Sequence, residues 1–241
     1  MNTHEQRHRS IHSDDETLFS GMPLLHLQQA VYDLCWLFDR GYARHSAIKL
    51  VGDHHQLNKR QRLAIGRAAC SNESREARAA KCMAIENIKN QALIIDGFNL
   101  IITMETAIAG GLLLRCRDGC IRDLASVHGT YRQVQETGQA LYRIGQALET
   151  FAPQNVLWLF DAPVSNSGRL SAMVRNMAET HHWNWRTELA VNPDHKIIAS
   201  AGIAISSDSA ILDGVARWAN LGAYLLDRYF PGAWVLDFST Q

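Results

Sequence analysis

Residues 92–103, ALIIDGFNLIIT, decide the fold. The run Ala92-Leu93-Ile94-Ile95 is short, apolar and rich in β-branched side chains, the composition of a strand buried on both faces, as parallel strands are. It stops at Asp96-Gly97-Phe98-Asn99, after which apolar residues resume. A carboxylate is expensive to bury, so Asp96 belongs where the strand emerges at the carboxyl edge of a sheet. In open α/β sheets that edge binds ligands. Gly97 lets the backbone turn or be approached closely, and Asn99 adds a second short polar group. The same residues also suit a helix N-cap or an Asx-turn with no further role.

Downstream the pattern repeats. A long amphipathic helix is expected over residues 130–151, ended by Pro153, and NVLWLFD (155–161) is a second apolar run that finishes in Asp161. Residues 169–182 read as helix, 183–191 as a strand, 192–194 (Asn-Pro-Asp) as a turn, and 202–206 as a short buried strand leading into Ser206-Ser207-Asp208. Residues 210–230 read as one helix and 234–238 as a last strand. Between the first two acidic strands, Gly110-Gly111 and Asp118-Gly119 mark turns of a small hairpin or of a loop over the sheet edge. Strands separated by helices predict an α/β fold, with a central, mainly parallel sheet between two helical layers.

Upstream lies a different texture. Residues 1–16 carry His4, His8 and His12 without periodicity and read as a disordered leader. Residues 17–88 read as a helical module, with one helix over about 18–40, a second from 46 and a third over about 57–70 that Asn58 caps. A Gly52-Asp53 break between short helices, with basic residues opening the second, is the pattern of a helix-turn-helix. Residues 45–82 hold eight bases against three acids, and Lys59, Arg60, Arg62 and Arg67 are candidate phosphate contacts; a solvated helical face is the alternative. Residues 89–241 form the α/β domain.

The whole chain of 241 residues has a net charge near zero and 46% hydrophobic residues, as soluble globular proteins do. No apolar run nears the ~18 residues that span a bilayer, and the first residues have no secretory core. Five cysteines, an odd number, favour reduced thiols and a cytoplasmic location; structural zinc is the lesser alternative for Cys116 and Cys120. Walker and G-x-G-x-x-G phosphate loops are missing, as is a G-x-S-x-G elbow.

Three buried strands thus end in Asp96, Asp161 and, two residues on, Asp208. In a parallel sheet these carboxylates share one edge, where they repel one another and raise one another's pKa. A hard divalent cation, Mg²⁺ or Mn²⁺, relieves that repulsion and can activate water beside a phosphodiester. Three unrelated helix caps are the alternative.

Asp96-Gly97-Phe98-Asn99, the strand-terminal Asp161 and Ser206-Ser207-Asp208 resemble the acidic set of the PIN-like nuclease superfamily, which includes NYN-type domains. The phrases IIDGFN, DGCIRD, HGTYR, FDAPVSNSGRL and ISSDSAILD are similar to an uncharacterised family, the domain of unknown function 434, which joins a helical N-terminal segment to a PIN-like body. The resemblance implies a metal-dependent nuclease acting on RNA, with Asp96 as principal ligand and Asp161 and Asp208 completing the cluster. It further implies Asp213 as an added ligand and Asn99 as the orienting group. A helix-borne acid that the superfamily carries has three candidates, Asp123, Glu136 and Glu105.

Arg122, His128, Arg132 and the loop Ser165–Arg169 are candidate phosphate contacts, with solvated ion pairs and a capped loop as their alternatives. His181-His182 beside Trp183 and Trp185 reads as a helix running into a half-buried strand rather than as a base-stacking platform. Three functions follow as expectations: an RNA phosphodiesterase, a non-catalytic nucleic-acid-binding protein using the basic helix, and a metal-dependent phosphatase on a small substrate. None involves a membrane. Residues 91–241 carry 11 bases against 14 acids, so RNA would need a metal or the N-terminal module to be attracted.

Overall fold

The structure, a computed structural model, describes residues 8–9, 12–125 and 129–240. The stretch 92–96 is a strand with a parallel neighbour on each side. Among the described residues five α-helices precede it, α1 (Asp15–Phe19), α2 (Met22–Phe38), α3 (Arg44–His54), α4 (Lys59–Ala68) and α5 (Asn72–Lys81), with a 3-10 turn at Ile85–Ile88. The single helix expected over 18–40 is broken at Gly21, which takes φ of +62°, and Pro23 sits in the first turn of α2. Asn58 caps α4 in a reciprocal capping box with Gln61. Gly52 is no turn residue: it lies inside α3, where a Cβ would fall 2.6 Å from the Arg62 guanidinium carbon.

The body follows as β1 (Cys82–Met83), β2 (Ala92–Asp96), α6 (Gly97–Ile108), β3 (Leu113–Arg115), β4 (Ile121–Asp123), α7 (Glu136–Phe151), β5 (Asn155–Asp161), α8 (Ser167–His181), β6 (Trp185–Ala190), α9 (Pro193–Ile198), β7 (Ile203–Ile205), α10 (Ser209–Gly214), β8 (Trp218–Ala219), α11 (Leu221–Tyr229) and β9 (Val235–Asp237). The central sheet runs β1-β8-β7-β2-β5-β6 and its pairings are all parallel. Successive side chains of a strand point to opposite faces. Accordingly Leu93, Ile95, Trp158, Phe160, Ile203 and Ile205 pack with α6, α7, α8 and α11. Ile94, Leu159 and Ala204 pack on the other face with Ile197 of α9 and Ile211 and Leu212 of α10. The sheet is therefore flanked by helices on both faces, as the α/β pattern predicts.

Several boundaries differ from the sequence expectation. The helix expected over 210–230 is α10, then β8, then α11, because Trp218 is buried and its indole N–H donates to the Arg78 carbonyl at 2.8 Å. The helix expected from Thr130 begins at Glu136. The strand at the C-terminus joins not the central sheet but a small one ordered β4-β3-β9, in which the 113–123 segment is a hairpin. That small sheet is the floor on which the N-terminal helices sit: Leu34, Val51 and Ile65 share one core with Leu114, Leu124, Leu236 and Phe238. Residues 17–88 are thus no free-standing module, and β1 of the central sheet falls within them. The described part of the 1–16 leader is also tied down, since Arg9 pairs with Glu105, His8 with Glu136, and Asp15 with Arg60; His4 lies outside the described residues.

Candidate active site

Asp96 sits at the end of β2 and caps α6, accepting from the Asn99 backbone N–H at 3.4 Å. Gly97 makes this turn possible because the Phe160 ring occupies the place where a Cβ would stand. The neighbouring strand end is stapled to it. Ser206 Oγ donates to Asp96 Oδ2 at 2.9 Å and accepts from the Asp208 N–H at 3.0 Å. Asn99 Oδ1 accepts from both the backbone N–H and the hydroxyl of Ser207, each at 2.9 Å. With that oxygen doubly engaged, the amide NH₂ is what Asn99 can offer a ligand.

Burial pushes the Asp96 carboxyl up to about 7, against the two hydrogen bonds it accepts and with help from the charges of Asp194 and Asp208. Burial likewise raises Asp161, the last residue of β5. Asp208 caps α10 by accepting from Ala210 N at 2.8 Å and Ile211 N at 3.3 Å. Asp194 stands in the first turn of α9, just past β6, and is raised by burial, then by Asp208 and Asp161. It went unrecognised in the sequence because Asn192-Pro193-Asp194 reads as a turn; the cap Asn192 with proline at the next position was the available signal. Adjacent strands β7, β2, β5 and β6 therefore each send an aspartate from the same edge, and none of the four has an ion-pair partner among the described residues.

Two of the expected three acids, Asp96 and Asp208, are helix caps, as the alternative reading of the sequence has them. As arranged, no three His, Cys, Asp or Glu side chains among the described residues are gathered tightly enough to hold a metal ion. Asp213 is not with them. Its carboxylate takes two hydrogen bonds from Arg78, at 2.7 and 2.9 Å. Glu105 is buried in another network, with Tyr131, Thr137 and Arg9, where burial raises its pKa. Glu136 pairs with His8 at 2.7 Å. Asp123 ends β4 in the small sheet, accepting from Thr103 Oγ1 at 3.1 Å and Ala125 N at 2.7 Å.

The basic candidates are mostly spent on the protein itself. Arg60 pairs with the buried Asp15; Arg62 with Asp53 at 2.7 Å; Arg67 donates to the carbonyls of Asp123 and Ala125. Arg122, a candidate phosphate contact with a solvated ion pair as the alternative, is neither free nor solvated. It is buried, donating twice to Asp118 at 2.9 and 2.6 Å and once to the Ser207 carbonyl at 2.7 Å. Asp118, which the sequence marked only as a turn, accepts from Arg78 as well at 2.6 Å. Lys59, Arg132 and Arg169 are exposed, and His128 lies outside the described residues. The rings of Trp183 and Trp185 stack with centroids 4.5 Å apart, and Trp183 covers Gly145 of α7. That packing accounts for the cluster. All five cysteines are free thiols, and no helix among the described residues is long and apolar enough to cross a membrane.

The fold and edge define an α/β protein with a parallel six-stranded sheet and an acidic carboxyl edge. The chain belongs to the family described as Domain of unknown function (DUF5616), whose model matches residues 85–224. Residues 26–81 match a second model, Protein of unknown function (DUF434). The phrases from IIDGFN to ISSDSAILD thus fall in the DUF5616 match, and DUF434 covers the helices. An uncharacterized protein of Methanocaldococcus jannaschii is 28% identical over 186 residues, 77% of this chain and 88% of the relative. No solved structure matches the chain.

Proposed function

We propose that the protein is a PIN-like, divalent-metal-dependent phosphodiesterase acting on RNA. The observation that carries this reading is the set of four aspartates along one edge of adjacent parallel strands, none with an ion-pair partner among the described residues; burial raises Asp96, Asp161 and Asp194, and neighbouring carboxylates add to the rise of Asp96 and Asp194. Capping accounts for Asp96 and Asp208 one by one but not for several unpaired acids on one edge, whereas perturbed carboxyls at a ligand-binding edge are what catalysis requires. The donor chemistry fits a hard cation. With no three of these side chains gathered into a cage among the described residues, the ion that suits them is a hydrated one: Mg²⁺ keeps several waters and takes one or two carboxylates plus substrate phosphate. Such an ion, when bound, would polarise a phosphodiester and lower the pKa of a water. One or two of Asp96, Asp161, Asp194 and Asp208 would hold it, the rest acting through water. Asn99, locked by Ser207, would present its amide to a phosphate oxygen.

The test is incubation of labelled single-stranded RNA with the protein and Mn²⁺. Wild type should cut, and Asp96→Asn should lose at least ~100-fold, the scale of removing one electrostatic group from a catalytic centre. Equal cutting by both, or cutting by neither, overturns the proposal. Non-catalytic binding through α4 alone is the weaker reading, because three of its four candidate cations are already engaged.

A further inference from the structure

Two cavities meet beside α3 and α4, sharing Arg44, Arg67 and Ala125 in their walls. The first, about 690 Å³, reaches the acidic edge: Asn99, Ser207 and Asp208 line it together with Arg44, Phe38 and Tyr42. The second, about 990 Å³, has six Arg and Lys side chains in its wall against one carboxylate, Asp15. Small-ligand pockets run to ~300–1,000 Å³, so the joined space suits an extended ligand better than a single nucleotide.

Most cations along it are rigid but already neutralised. Arg44 is the exception at the junction. Its guanidinium donates to the Gly66 carbonyl and lies 5.6 Å from the Phe38 ring centre, and no carboxylate stands within ion-pair distance among the described residues. Burial, then the charges of Arg122 and Arg78, lowers its pKa, with Asp208 opposing. Lys59, in the wall of the second cavity, is exposed and likewise unpaired among the described residues. Phe38 and the half-exposed Tyr42 add aromatic faces to the first cavity. Unpaired cations interleaved with aromatic rings are the makings of a single-strand track, in which phosphates meet charge and bases stack.

We infer that the joined cavities seat a single-stranded RNA that runs from Lys59 past Arg44, which holds a backbone phosphate, to the acidic edge at Asp208. The RNA substrate class rests on the function proposed above; the path does not require that cleavage occur. Binding of a short fluorescein-labelled oligouridine, read by anisotropy in EDTA, tests it. Arg44→Gln should weaken binding about tenfold and Lys59→Ala about threefold, each lowering the slope of log affinity against log salt by about one. Tyr42→Leu should cost about tenfold through lost stacking. Lys89→Ala, an equal charge loss just ahead of β2 at the opposite edge, should change nothing. Unaltered affinity in the Arg44, Lys59 and Tyr42 variants overturns the inference, as does an equal loss in Lys89→Ala or no binding by wild type. Should Arg44→Gln fail to fold by circular dichroism, the exposed Lys59 and Tyr42 variants decide. Binding lost in these variants without cleavage by wild type would support the track and sink the catalytic reading alone.

Discussion

Asp96→Asn should make the protein more stable while abolishing its activity. A carboxyl whose folded pKa lies above its unfolded value costs stability from the unfolded value upward, the full penalty being reached above the folded one. For Asp96 the ordinary value is 3.8 and the folded one about 7. At ~1.4 kcal/mol per pKa unit that gap is a ceiling of about 4 kcal/mol above pH 7. The asparagine keeps one oxygen for the two donors, Asn99 N–H and Ser206 Oγ, so an expected net gain of about 1–3 kcal/mol remains. For a chain of this length that is an increase in Tm of about 3–10 °C. The advantage should appear at pH 8 in EDTA and fall to under about half at pH 5, because the folded carboxyl is then already protonated. Millimolar Mg²⁺ should raise the Tm of wild type and leave the variant unmoved, narrowing the difference. Thermal unfolding by circular dichroism at both pH values measures all of this. A variant less stable than wild type at pH 8, or a gain equal at pH 5 and pH 8, would refute the reasoning, since either result means that burial of charge is not what the mutation relieves.

Asp118→Asn should have the opposite sign. It strips the shared carboxylate from Arg78 and Arg122, whose side chains are 4% and 9% exposed, at a cost of about 3–5 kcal/mol in urea unfolding; a change under ~1 kcal/mol would contradict the network's role. Burial would raise the Asp118 carboxyl, but Arg122 and Arg78 prevail and hold it below 3.8. Its contribution is therefore present above pH ~4 and lost as pH falls through the lower folded value. Gly97→Ala drives a methyl into the Phe160 ring, and should cost about 1–3 kcal/mol and reduce RNA cleavage by shifting Asp96 and Asn99. Gly168→Ala, inside α8 with nothing within 4 Å of the added Cβ, should be neutral or gain up to ~1 kcal/mol in urea unfolding.

Sequence alone exposed those features that are local. The run 92–96, the apolar strand 155–161 and the cap at Asn58 each announce themselves within a few residues, and parallel pairing then brings Asp96, Asp161 and Asp208 to one edge. What stayed hidden depends on partners far along the chain. Asp213 reads as a ligand one turn into a helix until Arg78, 135 residues away, claims it. Asp118 reads as a turn until two arginines close on it. Strand β8 has two residues, too few for any periodicity, so α10 and α11 merged into one expected helix. Asp194 stands four residues beyond its strand, outside the place where a strand-end acid is sought. Arg44 carries no local mark at all; its significance is that the chain around it supplies no carboxylate.

The two family matches divide the sequence at about residue 84, but the physical joint does not follow that division. Arg78 of α5 lies in the first match and is held by Asp118 and Asp213 of the second. Lys81 donates to the carbonyls of Leu212 and Asp213 at 2.8 and 2.9 Å. The N-terminal helices bury their apolar faces on β3, β4 and β9. Separating the halves would uncover that apolar sheet face and take Arg78 from the buried Asp118, leaving it Arg122 alone, a combined cost that is a large share of a domain's net stability. The arginine wall and the acidic edge are thus set relative to one another by a rigid core rather than by a linker. A strand of RNA bound along the first would be delivered to the second in a fixed register, which is the positioning that hydrolysis of one particular phosphodiester demands.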